Sequence, residues 1–89
     1  MVADVLDQTE VRKKIGDILG SIVREMTSAV EVEVSFAMGE KTTIYKVSVP
    51  QECRGKLIGA QGKNITSLRN LVGAMAGNHG FRAIIELVV

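Results

Sequence analysis

With 89 residues, 46% of them apolar, a net charge of +1 and a single cysteine, the chain reads as one small domain, near the lower limit of what folds around its own core. It contains no run of eighteen apolar residues, so no membrane span is expected, and Met1–Asp7 lacks the basic start and long apolar core of a secretory signal. Cys53 alone can form neither an internal disulfide nor a cysteine metal cluster, and the expected location is a reducing cytoplasm.

Residues 1–8 read as a flexible lead-in and residues 9–89 as a single domain. Asp7 or Thr9 can cap a first helix, with Glu10 as capping-box partner of Asp7. Val11, Ile15, Ile18, Leu19, Ile22, Val23 and Met26 recur at helical spacing, and Arg12, Lys13, Asp17, Arg24 and Glu25 fall on the other side. The basic run Arg12-Lys13-Lys14 reads as a solvated helix face, with contact to nucleic acid as the alternative. From Val30 the period changes to two. Val30, Val32, Val34 and Phe36 alternate with Glu31, Glu33 and Ser35, which predicts a strand with one buried face. Ala37–Lys41 is the expected turn, with Gly39 as its positive-φ residue. Thr43–Val49 is the second strand, placing Tyr45, Val47 and Val49 on one face, and Pro50 ends it.

A short helix over Gln51–Ile58 follows, then a turn at Gly59–Gly62 and a helix from Lys63 to about Ala76. Ile65, Leu68, Leu71 or Val72, and Met75 are its expected inward residues, and Gly73 and Gly77 weaken its last turns. Asn78-His79-Gly80 is a stop signal, and Phe81–Val89 reads as a closing strand. The order α-β-β-α-α-β predicts an α+β fold: a three-stranded mixed sheet with three helices on one face. The two-helix crossover makes the second and last strands parallel.

The chemistry concentrates around Gly59-Ala60-Gln61-Gly62. Two glycines three apart, between two helices, make a tight turn that another backbone can approach closely and whose amides can face outward. The next helix adds its own unpaired N–H groups. Lys56 and Lys63 flank the turn, and Arg54 and Arg69 lie nearby. Residues 1–40 carry four basic and eight acidic side chains (net −4), whereas residues 41–89 carry seven and two (net +5). The half that holds the turn would therefore attract a phosphate-rich partner, weakly and with strong salt sensitivity. Catalytic readings fail. The phosphate-binding and dinucleotide loops both need glycine at position 57, which is Leu, and the former also needs Ser or Thr at position 64, which is Asn. Cys53 and the single histidine, His79, form no nucleophile–base pair and no metal set, so no catalytic residue, metal or cofactor is expected.

Leu57-Ile58-Gly59-Ala60-Gln61-Gly62-Lys63-Asn64-Ile65 resembles the core motif of KH domains, in which a Gly-x-x-Gly loop clamps about four nucleotides of a single strand. Val49-Pro50-Gln51-Glu52 before the motif, and the helix and strand after it, are similar to the bacterial type II form and its small stand-alone members. The resemblance implies the type II KH fold and single-stranded RNA as partner. It implies a site of Lys56, Leu57, Ile58, Gly59, Ala60, Gln61, Gly62, Lys63 and Ile65, with Arg54 and Arg69 as further cations. Leu57, Ile58 and Ile65 would floor an apolar groove for the bases. Many family members carry a basic residue at the loop tip, where this chain has neutral Ala60 and Gln61. The expected role is an RNA chaperone or post-transcriptional regulator, working as a homodimer or with a larger KH-containing protein. A protein-interaction module with a KH fold and a ribosome or rRNA assembly factor are the alternatives.

Overall fold

The computed structural model describes residues 8–88, so most of the expected lead-in, the capping candidate Asp7 and the final Val89 lie outside the described residues. Helix α1 (Gln8–Thr27) takes in Thr9 within its first turn rather than as a cap, and the Thr9 hydroxyl faces the Met38 sulfur at 3.7 Å. Val11, Ile15, Leu19 and Val23 are buried, while Ile22 and Met26 pack partly and Ile18 stays 40% exposed. The buried face also includes Arg12, Gly16, Gly20 and Thr27. At about 100° per residue, these positions centre the buried face on Arg12 and push Ile18 to its rim. This corrects the expectation that Arg12 is a solvated surface charge; Lys13 and Lys14 are exposed.

Arg12 is 3% exposed. Its Nε donates to Thr43 Oγ1 at 2.6 Å, and its Nη1 donates to the backbone oxygen and Oε1 of Gln8 at 3.0 and 2.8 Å. The guanidinium lies 4.0 Å from the centroid of the Phe81 ring. A cation enters a core only when its donors are met there; Nε and Nη1 find acceptors, and among the described residues no buried side-chain nitrogen or oxygen is left without a partner.

Strand β1 (Glu33–Met38) starts later than the alternation suggested, and Val30 is 88% exposed. The cause is the helix exit. Ser28 takes a positive φ of 59° and donates its amide to Arg24 O, while the Thr27 hydroxyl accepts from Ala29 N. The chain is still turning at Val30, and pairing begins only at Glu33. At the other end Ala37 and Met38, expected in the turn, pair with Ile44 and Thr43. Gly39 does not adopt the positive φ expected of it. It is small for a different reason: its amide donates to Thr42 O at 2.7 Å, and a Cβ would stand 2.8 Å from that oxygen.

Strand β2 (Thr42–Ser48) is central, antiparallel to β1 and parallel to β3 (Arg82–Leu87), as the crossover predicted. Thr43, Tyr45 and Val47 point into the core with Val49 and Ile85, whereas Ile84, Lys46 and Glu86 belong to the opposite face. Phe36 is the register partner of Tyr45, and their tilted rings are 5.8 Å apart. Gly16 lets α1 come close: a Cβ there would lie 3.4 Å from the Tyr45 ring.

The Tyr45 hydroxyl donates to Arg12 O at 2.8 Å. Desolvation pushes its phenol up to about 12, with the nearby Arg12 charge acting the other way. The folded state therefore favours the neutral phenol. That stabilisation is complete below pH ~10, the ordinary tyrosine value, and is lost as pH rises through about 12. As the sole tyrosine in a chain without tryptophan, Tyr45 can be followed by phenolate absorbance. The signal is expected to appear near pH 12 in the native protein and near pH ~10 in urea.

Candidate nucleic-acid interface

After Val49 the chain makes a 3₁₀ turn over Gln51–Cys53 and enters α2 (Arg54–Ile58), where one helix was expected over the whole stretch. Leu57 is completely buried and fixes α2 against the core. Helix α3 (Lys63–Asn78) buries Ile65, Leu68, Val72 and Ala76; of the two alternatives at its centre Val72 is the inward one, and Leu71 is 48% exposed. Met75 packs partly against the core.

Between the helices, the Gly-x-x-Gly turn depends on three residues of positive φ: Gly59 at 78°, Gln61 at 57° and Gly62 at 75°. Gly59 also has ψ 172°, a combination essentially reserved for glycine. Gly59 N donates to Gly55 O, Gly62 N to Gly59 O, and Lys63 N to Ala60 O. The loop amides not used in this way are those of Ala60 and Gln61, the two exposed tip residues. The outward-facing amides expected of the whole turn are thus narrowed to its tip.

Lys56 and Lys63 are exposed on either side of the tip, and Arg54 is half-buried at the start of α2. Arg69 is directed elsewhere: its Nη2 donates to Ile85 O on β3 at 3.4 Å. Strand β3 is an edge of the sheet, and Arg69 covers one of its carbonyls. Of the three apolar residues expected to floor a groove, Leu57 and Ile65 lie in the core, and only Ile58, 37% exposed, presents much surface. A hollow at the start of α3 is lined by Ile22, Met26, Asn64, Ser67, Leu68 and Leu71, on the side facing α1. Sequence reasoning passed over Asn64, whose Nδ2 donates to Lys56 O at 2.9 Å. Its one signal is an amide side chain two residues past the second glycine. Among the described residues no group of three or more His, Cys, Asp or Glu is placed to hold a metal ion, and no helix is long and apolar enough to cross a membrane.

The element order, the mixed sheet and the Gly-x-x-Gly turn between two helices define a type II KH domain. The sequence model of the KhpA/KhpB KH domain matches residues 12–87, and the chain belongs to that family. The RNA-binding protein KhpA of Clostridium acetobutylicum is 34% identical over 58 residues, which cover 65% of this chain and 77% of the relative. Its counterpart in Borreliella burgdorferi is 36% identical over 58 residues, 65% of this chain and 71% of that one. The KhpA of Caldanaerobacter subterraneus subsp. tengcongensis is 31% identical over 75 residues, 83% of this chain and 100% of its own length.

Proposed function

We propose that the protein binds single-stranded RNA in the cytoplasm, gripping about four nucleotides along Gly59–Gly62, and acts as an RNA chaperone or post-transcriptional regulator without catalysis. The observation that carries this reading is the exposed tip, whose Ala60 and Gln61 amides are not used inside the loop, set between exposed Lys56 and Lys63. Phosphates take the tip amides and the two lysines, with Arg54 as a further cation. A base rests on Ile58, and Leu57 and Ile65 support the site from below. Arg69 acts at the β3 edge, where it can exchange its carbonyl partner for a base. The family names of the relatives support RNA as the ligand.

Replacing Ala60 and Gln61 together with Asp is expected to weaken binding of a short single-stranded RNA at least about 100-fold, because two carboxylates would face the phosphates. Circular dichroism should show the fold intact. Unchanged binding would rule out the grip.

A second reading is favoured by the surface between α1 and α3, where exposed Ile18 lines one hollow with half-buried Met75 and exposed Leu71 lines another with half-buried Ile22 and Met26. This apolar surface suits a second copy or a larger KH-containing protein. Two joined domains would gain from effective concentration what one small site lacks. Sedimentation of wild type against Ile18→Glu/Leu71→Glu checks it: wild type should run as a dimer and the variant as a monomer.

A further inference from the structure

Asn64 stands at the second position of α3 with its side chain exposed, yet that side chain folds back across the base of the loop. Its Nδ2 donates to Lys56 O, a carbonyl of the last turn of α2 that no backbone amide takes up, because α2 stops at Ile58. The bond ties the end of one helix to the start of the next. Gly59 lies directly in its path: a Cβ there would be 2.6 Å from Asn64 Cγ and 2.8 Å from Nδ2. Glycine at this point therefore makes room for Asn64 as well as for a strand.

We propose that Asn64 is a positioning residue of the RNA grip: its amide holds the turn in the shape that keeps the Ala60 and Gln61 N–H groups ready for a phosphate, and it does not touch the strand. The proposal rests on the RNA-binding reading above. The physical need is plain. Both glycines of the turn accept either sign of φ, and Gln61 sits in the left-handed region at a cost. Such a turn has competing conformations, so one that binds a backbone well must be selected before the strand arrives, or the ordering cost falls on binding. Among the described residues, Asn64 makes the only side-chain hydrogen bond that joins the two helices flanking the turn. The chemistry is specific, since aspartate at this position has no hydrogen to donate when ionised.

The test compares wild type, Asn64→Ala and Lys63→Ala, using a fluorescently labelled short single-stranded RNA titrated at several salt concentrations. Thermal midpoints and amide hydrogen exchange at Ala60 and Gln61 are recorded in parallel. Asn64→Ala is expected to weaken binding about tenfold, the equivalent of freeing one residue's backbone. It should speed exchange at the tip and leave the salt dependence as steep as in wild type. Lys63→Ala should instead flatten the salt slope by about 0.7, the value for one lost phosphate contact on a single strand. Wild-type affinity in Asn64→Ala overturns the proposal. So does a flattened slope in that variant, which would mean direct contact with the strand. If wild type binds no RNA, the functional reading falls by itself; tip exchange unchanged in Asn64→Ala would then overturn the positioning role as well.

Discussion

Gly59→Ala is expected to cost about 3 kcal/mol of stability and to abolish RNA binding, whereas Gly62→Ala costs about 1 kcal/mol and weakens binding only modestly. The two glycines are equivalent in the motif but not in the structure. Gly62 sits in the left-handed region with nothing within 4 Å of a new Cβ, so alanine there meets only the backbone penalty. Gly59 combines φ 78° with ψ 172°, outside the wells that a side-chain-bearing residue uses, and its Cβ would run into Asn64. Relief would require Asn64 to swing away, breaking its bond to Lys56 O. Urea denaturation gives the stabilities. The double variant Gly59→Ala/Asn64→Ala should lose less than the sum of the singles, because removing Asn64 removes the collision but not the backbone strain. Equal losses for the two glycines would show that the space around Gly59 is not the limiting factor.

What could be read in advance was whatever depends on a side chain's own polarity. Tyr45, Val47 and Val49 alternate because one face of β2 is buried, and Ile65, Leu68 and Val72 repeat because one face of α3 is. The Gly-x-x-Gly turn was legible because both of its glycines have positive φ. Two of the misreadings share one origin, a residue whose environment is decided by a distant partner. Arg12 resembles any surface arginine until Thr43 and Phe81, far along the chain, meet its donors and its charge. Gly16 and Gly20 carry no hydropathy, so the expected apolar stripe of α1 centred near Ile15 and took in Ile18. Val30 has the right residue type for a strand, but the chain leaves α1 through a left-handed Ser28 and has not yet reached the sheet.

The candidate site divides along the same line. Its glycines and lysines are where the motif places them, because a turn between two helices is a local structure. Of its expected apolar floor only Ile58 presents much surface, because Leu57 and Ile65 are claimed first by the core shared with α1 and β2. In the proposed grip little apolar surface then remains for bases, and contact through the backbone would dominate. Such binding should discriminate weakly among sequences, since phosphate contacts carry no base information.

Arg12→Ala should lower stability by about 3 kcal/mol, the scale of a charged hydrogen bond lost together with a desolvated cation–π contact. In a domain of this size that corresponds to a thermal midpoint lower by roughly 15 °C. Alanine would leave the fully buried Thr43 hydroxyl without its donor and empty the space over Phe81. Arg12→Lys should recover less than half of the loss: an ammonium cannot serve Thr43 and Gln8 from two separate nitrogens while lying flat on a ring. Phe81 follows the C-terminal end of α3, and the Gly-x-x-Gly turn precedes its N-terminal end. The sixteen-residue helix between them is about 24 Å long at the usual rise. Below the melting transition, Arg12 variants should therefore bind RNA as wild type does, the reverse of Asn64→Ala, which weakens binding with little change in melting. Stability by urea denaturation and affinity by RNA titration, measured on the same samples, check both halves. A lysine variant as stable as wild type would show that packing of the aliphatic stem, rather than the guanidinium fork, holds α1 to the sheet.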